Sequence, residues 1–262
     1  MRFYLGTHQV NWLWRDPLSP YLFVSQRRLS RYRKLRAAQC DWALDSGGFT
    51  ELHLHGRWVL PAVDYVASVR RYVAEIGRLQ WAAPQDWMCE PSVRARTGLT
   101  VADHQQRTIE SVLELRALAP EIYWVPVLQG QSALDYLQHA EDYERAGIDL
   151  RAEALVGLGS VCRRSNDNEI VAVVREIATL GISMHGFGVK RSGARRLASV
   201  LTSADSVAWS YRARRDKPLE GCTHKSCANC PRFAAQWVNE TLSSIDRATA
   251  QQDLFPTRGH AT

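Results

Sequence analysis

Four side chains within nine positions, Cys222, His224, Cys227 and Cys230, offer three thiolates and an imidazole. These are the donors with which structural sites surround zinc tetrahedrally, and their crowding is ligand spacing rather than a disulfide framework. Zn2+ is therefore the expected cofactor. Its role is structural, because four protein donors leave no position open for a catalytic water. An iron–sulfur centre and unliganded cysteines are the alternatives. Spacing fixes His224 least, since His260 could close the shell instead. The remaining cysteines, Cys40, Cys89 and Cys162, read as small apolar fillers.

A second group of chemically capable residues is spread along the chain. In Asp45-Ser46-Gly47-Gly48-Phe49 a carboxylate precedes two glycines, which let the main chain approach a ligand while the acid takes or gives a proton. Asp86 lies among Trp81, Trp87 and Met88. A carboxylate in such surroundings can accept from N1–H and N2–H of a guanine-like base while a ring stacks on the heterocycle. Gln129 offers its amide to the same edge, and main-chain groups at Gly157 and Gly159 can fill the remaining positions. Asp205, after the small residues Ser203 and Ala204, can attack an anomeric carbon in the manner of retaining glycosidic chemistry. Each acid alone fits a turn or helix cap equally well.

These residues recur at the ends of predicted strands. Apolar runs at 3–5, 41–44, 81–84, 122–128, 154–158, 182–189 and 206–209 read as strands, with helical spacing at 58–79, 104–118, 132–146, 169–180, 193–201 and 232–251. The alternation predicts an α/β fold with a parallel sheet, a TIM (β/α)8-type barrel. Seven strands can be counted, so the eighth is expected to be irregular, to lie in the tail or to be absent. In a barrel the strand ends share one rim, which would bring Asp45, Asp86, Gln129, Gly157 to Ser160, His185 and Asp205 around one pocket. The expected division is a catalytic barrel over 1–215 and a zinc-binding segment with a C-terminal helix over 216–262.

With 45% hydrophobic and 23% charged residues among 262, the chain is composed as a globular protein and not as a disordered one. No apolar run suits a signal peptide or reaches the roughly 18 residues of a membrane span, so a cytoplasmic location is expected. The net charge of +6 is concentrated in runs: Arg27 to Arg36, then Lys190, Arg191, Arg195 and Arg196, then Arg212, Arg214, Arg215 and Lys217. Such runs attract a phosphate backbone, although each alone also fits a solvated basic face.

The segments Leu44 to Phe49 (LDSGGF), Asp86 to Cys89, Val125 to Gly130 (VPVLQG), Gly157 to Arg164 (GLGSVCRR), His185 to Lys190 (HGFGVK) and Asp205 to Val207, followed by the cysteine cluster, span most of the chain. Together they resemble the queuine tRNA-ribosyltransferase (tRNA-guanine transglycosylase) superfamily, and most closely its branch that inserts 7-deazaguanine derivatives into DNA. The resemblance implies a TIM barrel that exchanges guanine for a 7-deazaguanine such as the 7-cyano form. Asp205 would be the nucleophile and Asp45 the general acid/base, with Asp86, Gln129, Gly157, Gly159 and Ser160 around the base. Phe49, His185, His8 and Asn11 would share that rim. Arg163, Arg164, Lys190, Arg191, Arg195, Arg212, Arg214 and Arg215 are the expected contacts to nucleic acid. The partners implied are DNA and a free 7-deazapurine. No organic cofactor is expected, because exchange conserves the glycosidic bond energy.

Two features depart from the tRNA family. The cluster is CxHxxCxxC rather than CxCxxC with a distant His, and only about thirty residues follow it, too few for an added RNA-binding domain. A chain this short is expected to have trimmed a strand or to rely on a homodimer or protein partner. Exchange on tRNA, and a non-catalytic zinc protein that grips nucleic acid, are the competing functions.

Overall fold

The computed structural model describes residues 1–15, 18–160 and 167–254, without the side chains of Asp167 and 251–254. Eight strands are present among the described residues: β1 (Arg2–Thr7), β2 (Tyr21–Ser25), β3 (Asp41–Asp45), β4 (Leu79–Ala82), β5 (Val127–Leu128), β6 (Val156–Leu158), β7 (Met184–Gly186) and β8 (Ser203–Ser206). They form one parallel sheet in the order β4-β3-β2-β1-β8-β7-β6-β5. The sheet curls into an open, TIM-barrel-like wall. Its outer strands β4 and β5 do not pair as strands, but one isolated parallel bridge joins Ala82 to Trp124. There the Ala82 N–H donates to the Tyr123 carbonyl at 3.0 Å and the Val125 N–H donates to the Ala82 carbonyl at 3.1 Å.

The eighth strand is β2, which lies early in the chain, neither absent nor in the tail. Its YLFVS run passes directly into the single-turn helix α1 (Gln26–Leu29), without a glycine or proline to mark its end. Two other expected strands are corrected. Of 122–128 only Val127–Leu128 forms a strand, since Pro126 has no N–H to give a ladder. The last strand is Ser203–Ser206 rather than 206–209, and a helix starts at Ala208.

The larger helices are α2 (Gly48–His55), α3 (Ala62–Glu75), α4 (Pro91–Thr97), α5 (Val101–Leu118), α6 (Ala133–Arg145), α7 (Asp167–Ile177), α8 (Arg191–Arg196), α9 (Ala208–Ala213) and α10 (Pro231–Leu254). Reciprocal capping boxes start α5, with Thr100 and Asp103, and α6, with Ser132 and Asp135. The alternation of a strand divides the apolar residues into two layers. On β1, Phe3 and Leu5 join the large core that includes Val69 and Ile109 of the helices, while Tyr4 joins Phe23, Ala43, Trp81, Val125 and Leu155 in a smaller one. Within the smaller layer the Trp81 Nε1–H donates to the Tyr4 hydroxyl at 3.1 Å. The hollow of the sheet is therefore packed with rings and is not a pore. At the C-terminal end, Trp237 of α10 meets the Phe3 ring at 6.0 Å. No helix among the described residues is long and apolar enough to cross a membrane.

Candidate active site

Parallel strands present their C-terminal ends on one face, and the loops leaving them supply the acids. Asp45 ends β3, Asp86 follows β4 and Asp205 lies in β8. All three line one cavity of about 280 Å3, together with Phe49, Gly159 and Ser160. This is close to the ~300 Å3 lower end for small-molecule pockets, so it has room for a single base.

Asp45 faces the cavity. Its Oδ1 accepts from the Gly47 N–H at 2.9 Å, in a turn where Gly47 takes φ +81°. Burial raises its pKa and the charge of Asp205 adds to the effect, outweighing the opposite influence of the Gly47 N–H and the Ser25 hydroxyl. Asp86 is buried, and its pKa is pushed up to about 7, first by burial and then by the charges of Asp45 and Glu90. It nevertheless accepts from Gln129 Nε2 at 2.6 Å and from the Ser46 hydroxyl at 3.4 Å. Two carboxyl groups that favour the proton beside a third acid allow division of labour among acid, base and nucleophile.

Gln129 is fully buried behind the cavity wall. Its N–H donates to His139 Nδ1 at 2.9 Å, its carbonyl accepts from Gln105 Nε2 at 2.8 Å, and its Oε1 accepts from the Ser160 hydroxyl at 2.7 Å. A Cβ at Gly159 would fall 2.2 Å from Gln129 Nε2, so this position must be bare for the amide to lie there. Asp205 Oδ1 accepts from the Gly188 N–H at 2.8 Å and lies 3.3 Å from His185 Nε2. The other ring nitrogen of His185 lies 2.8 Å from the Ser203 hydroxyl. Its ring is wedged between Trp81 and Phe187, at centroid distances of 4.7 and 4.8 Å. Asp205 thus rests on a ring that packing and the Ser203 hydroxyl hold in place.

Other expected residues lie elsewhere. His185 is fully buried beneath Asp205, and Gly157 packs within β6, where a Cβ would meet the Phe187 ring at 2.5 Å. His8 and Asn11 do not line the cavity. His8 is half-buried, and burial together with the charges of Arg28 and Arg214 lowers its pKa. Among the expected DNA contacts, Arg191 pairs with Glu240 at 2.8 Å, Arg212 pairs with Asp216 at 2.9 Å, and Arg215 lies over the Tyr211 ring at 4.1 Å. Lys190, Arg195 and Arg214 are exposed, whereas Arg163, Arg164, Cys162 and His260 lie outside the described residues.

Met88, which the sequence set beside Asp86, lines the cavity, and so do Phe23, Glu90, Phe187 and Gly188, which the sequence reading did not assign to the site. Glu90 is buried and immediately precedes Pro91 at the start of α4, so its local signal is that of a helix entrance. The signal that could have found it was its place directly after the Asp86 to Cys89 segment already singled out.

The cysteine cluster sits between α9 and α10. The donor atoms of Cys222, His224, Cys227 and Cys230 all lie within 4.8 Å of one another. Cys222 Sγ and Cys230 Sγ are 4.0 Å apart, close to the ~3.8 Å between sulfurs on a tetrahedral zinc with 2.3 Å bonds. His224 Nε2 is 3.1 Å from Cys227 Sγ, so His224 completes the set. The Leu219 N–H donates to Cys227 Sγ at 3.4 Å, and Arg232 lies 3.7 Å from Cys222 Sγ. The donor set fits a structural Zn2+ ion.

A parallel barrel wall with three acids at one rim and a Cys3His cluster is consistent with a pentosyltransferase of the transglycosylase class. The chain belongs to the DpdA family, DeoxyPurine in DNA protein A, which matches it over residues 1–261. Members of this family are 7-deazaguanine DNA transglycosylases, so the chain is a DNA-modifying enzyme. No curated protein matches it.

Proposed function

We propose that the enzyme replaces guanine in DNA with a free 7-deazaguanine, the 7-cyano form or a close relative, through an ester between Asp205 and deoxyribose. The observation that carries this reading is the meeting of Asp45, Asp86 and Asp205 in one cavity of base size. A stacked nucleotide cannot present its C1′ in line, so the target guanosine is extruded into the cavity. Asp86 accepts from N1–H and N2–H of the base, and Gln129 serves O6. Asp205 attacks C1′; the C1′–N9 bond breaks, the ester forms, and protonated Asp45 gives its proton to the departing guanine. The incoming base then returns a proton from N9 to Asp45, and N9 displaces Asp205, restoring the original anomeric configuration.

Exposed Lys190, Arg195 and Arg214 serve the phosphates, while the segment from 216 to the end of α10 holds zinc and clasps the barrel. The direct test is Asp205→Asn incubated with DNA and labelled guanine. Exchange is expected to fall by roughly a thousandfold or more, with no ester trapped on denaturation. Undiminished exchange would remove Asp205 from the role of nucleophile.

A further inference from the structure

Beside the mouth of the cavity, α9 is anchored by its inner face and turns an aromatic ring and cations outward. On the inner side the fully buried Trp209 donates from Nε1–H to the Gly6 carbonyl at 2.7 Å, which ties the helix to β1. The Ser210 hydroxyl donates to the Ala228 carbonyl at 2.7 Å and the Ser226 hydroxyl to the Ala213 carbonyl at 2.9 Å, which ties it to the cysteine loop. On the outer side, Val207 lines the cavity and is itself 39% exposed. Tyr211 follows four residues later, one turn along the same face, and is 56% exposed. Among the described residues it belongs to none of the buried apolar clusters. Arg215 donates to its hydroxyl at 2.7 Å and lies 4.1 Å from the ring centroid, so the ring is braced without being covered.

Basic residues from distant parts of the chain converge on the same corner. Arg214 is exposed and lies three residues beyond Tyr211, the half-buried Arg28 stands just past the end of β2, and His8 follows β1. β8, β1 and β2 are neighbours in the sheet, and the charges of Arg28 and Arg214 both bear on His8. An open ring beside such charges suits a nucleic acid, whose bases stack on the ring while its phosphates meet the cations. Extrusion of the target guanosine, part of the exchange reading on which this inference rests, leaves a gap in the base stack. We propose that Tyr211 fills this gap, stacking on the base next to the extruded guanosine, while Arg28 and Arg214 hold the phosphates that flank it. Val207 marks the threshold: the extruded base passes it into the cavity, and the ring one turn further out stays with the duplex. Paired DNA is then the favoured substrate, because a ring in the gap offsets stacking that a single strand has less of to lose.

The test compares duplex DNA of random sequence with single strands of the same sequences, each incubated with the full zinc-loaded chain and labelled guanine. Tyr211→Ala is expected to lower kcat/KM on the duplex by about tenfold or more and on single strands by no more than about threefold, whereas Tyr211→Trp keeps both within about threefold. Arg28→Ala and Arg214→Ala are each expected to reduce the slope of log Kd against log salt on the duplex by about 1, a slope that Tyr211→Ala leaves as it was. Equal losses on both forms of DNA, or a loss on the duplex that Tyr211→Trp shares, mark a role in the fold alone and overturn the proposal. Activity of Tyr211→Ala on the duplex within about twofold of the unaltered enzyme overturns it as well, and unmoved salt slopes in both arginine variants remove the phosphate contacts. Binding judges the ring separately from exchange, because a duplex with an abasic site in place of one guanosine presents the gap ready-made. Tyr211→Ala is expected to weaken binding of that duplex about tenfold more than binding of the intact one, and equal weakening overturns the proposal. If the unaltered enzyme exchanges no guanine while this ratio still falls, the exchange reading fails and the seat for DNA stands.

Discussion

Gly159 and Gln129 show how strongly one position can depend on another. With 2.2 Å between the absent Cβ and the amide nitrogen, Gly159→Ala must push Gln129 away from Asp86. A displacement of about 1 Å in a positioning group costs on the order of a hundredfold in kcat/KM, and the loss should appear for every incoming base, with the fold intact by circular dichroism. Asp86 carries a pH signature. Its folded pKa of about 7 lies above the ordinary carboxylate value, so the folded chain holds the proton more tightly than the unfolded one. The resulting stability is whole below about pH 4 and is lost as the pH rises through about 7. Asp86→Asn is therefore expected to raise thermal stability at pH 8, by on the order of 2 kcal/mol, and to have little effect at pH 4. Equal shifts at both pH values in thermal melts would show that Asp86 does not carry the proton. Asp45, Asp86 and Asp205 were legible as acids at strand ends, because a barrel gathers strand ends whatever their distance in sequence. Glu90 was not, because before a proline it carries the signature of a helix start.

Among the elements, long helices and glycine-ended strands could be read directly from apolar periodicity. The second strand could not, since Tyr21–Ser25 merges into a helical turn, and the fifth was overextended across Pro126. The three cysteines of the zinc cluster were legible because ligand spacing is local and needs no tertiary context, whereas the sequence left the fourth ligand open between His224 and His260. The cluster's structural reach was less evident from sequence. The cluster anchors the start of α10, whose Trp237, Ala234 and Val238 are buried and whose Glu240 ties back to α8. Removing the ion should therefore loosen more than one loop. Cys227→Ser is expected to abolish equimolar zinc in elemental analysis and to lower Tm by roughly 5–10 °C. A variant that still binds zinc and melts unchanged would mean that the cluster does not support the helix.

Across the described residues, the wall is laced by continuous ladders from β4 through β1 to β5, and one isolated bridge, Ala82 to Trp124, joins its two margins. Asp86 lies just beyond one margin and Gln129 just beyond the other, so the 2.6 Å hydrogen bond between them spans the gap. A base received by both side chains would take over that crossing. Saturating free base should therefore slow hydrogen exchange at the Ala82 and Val125 amides while leaving the β1–β2 ladder as it was; equal exchange with and without base would mean that the margins hold together independently. The vessel is slit directly beside its cavity, and a base loaded there would replace the stitch that Asp86 and Gln129 make across the slit.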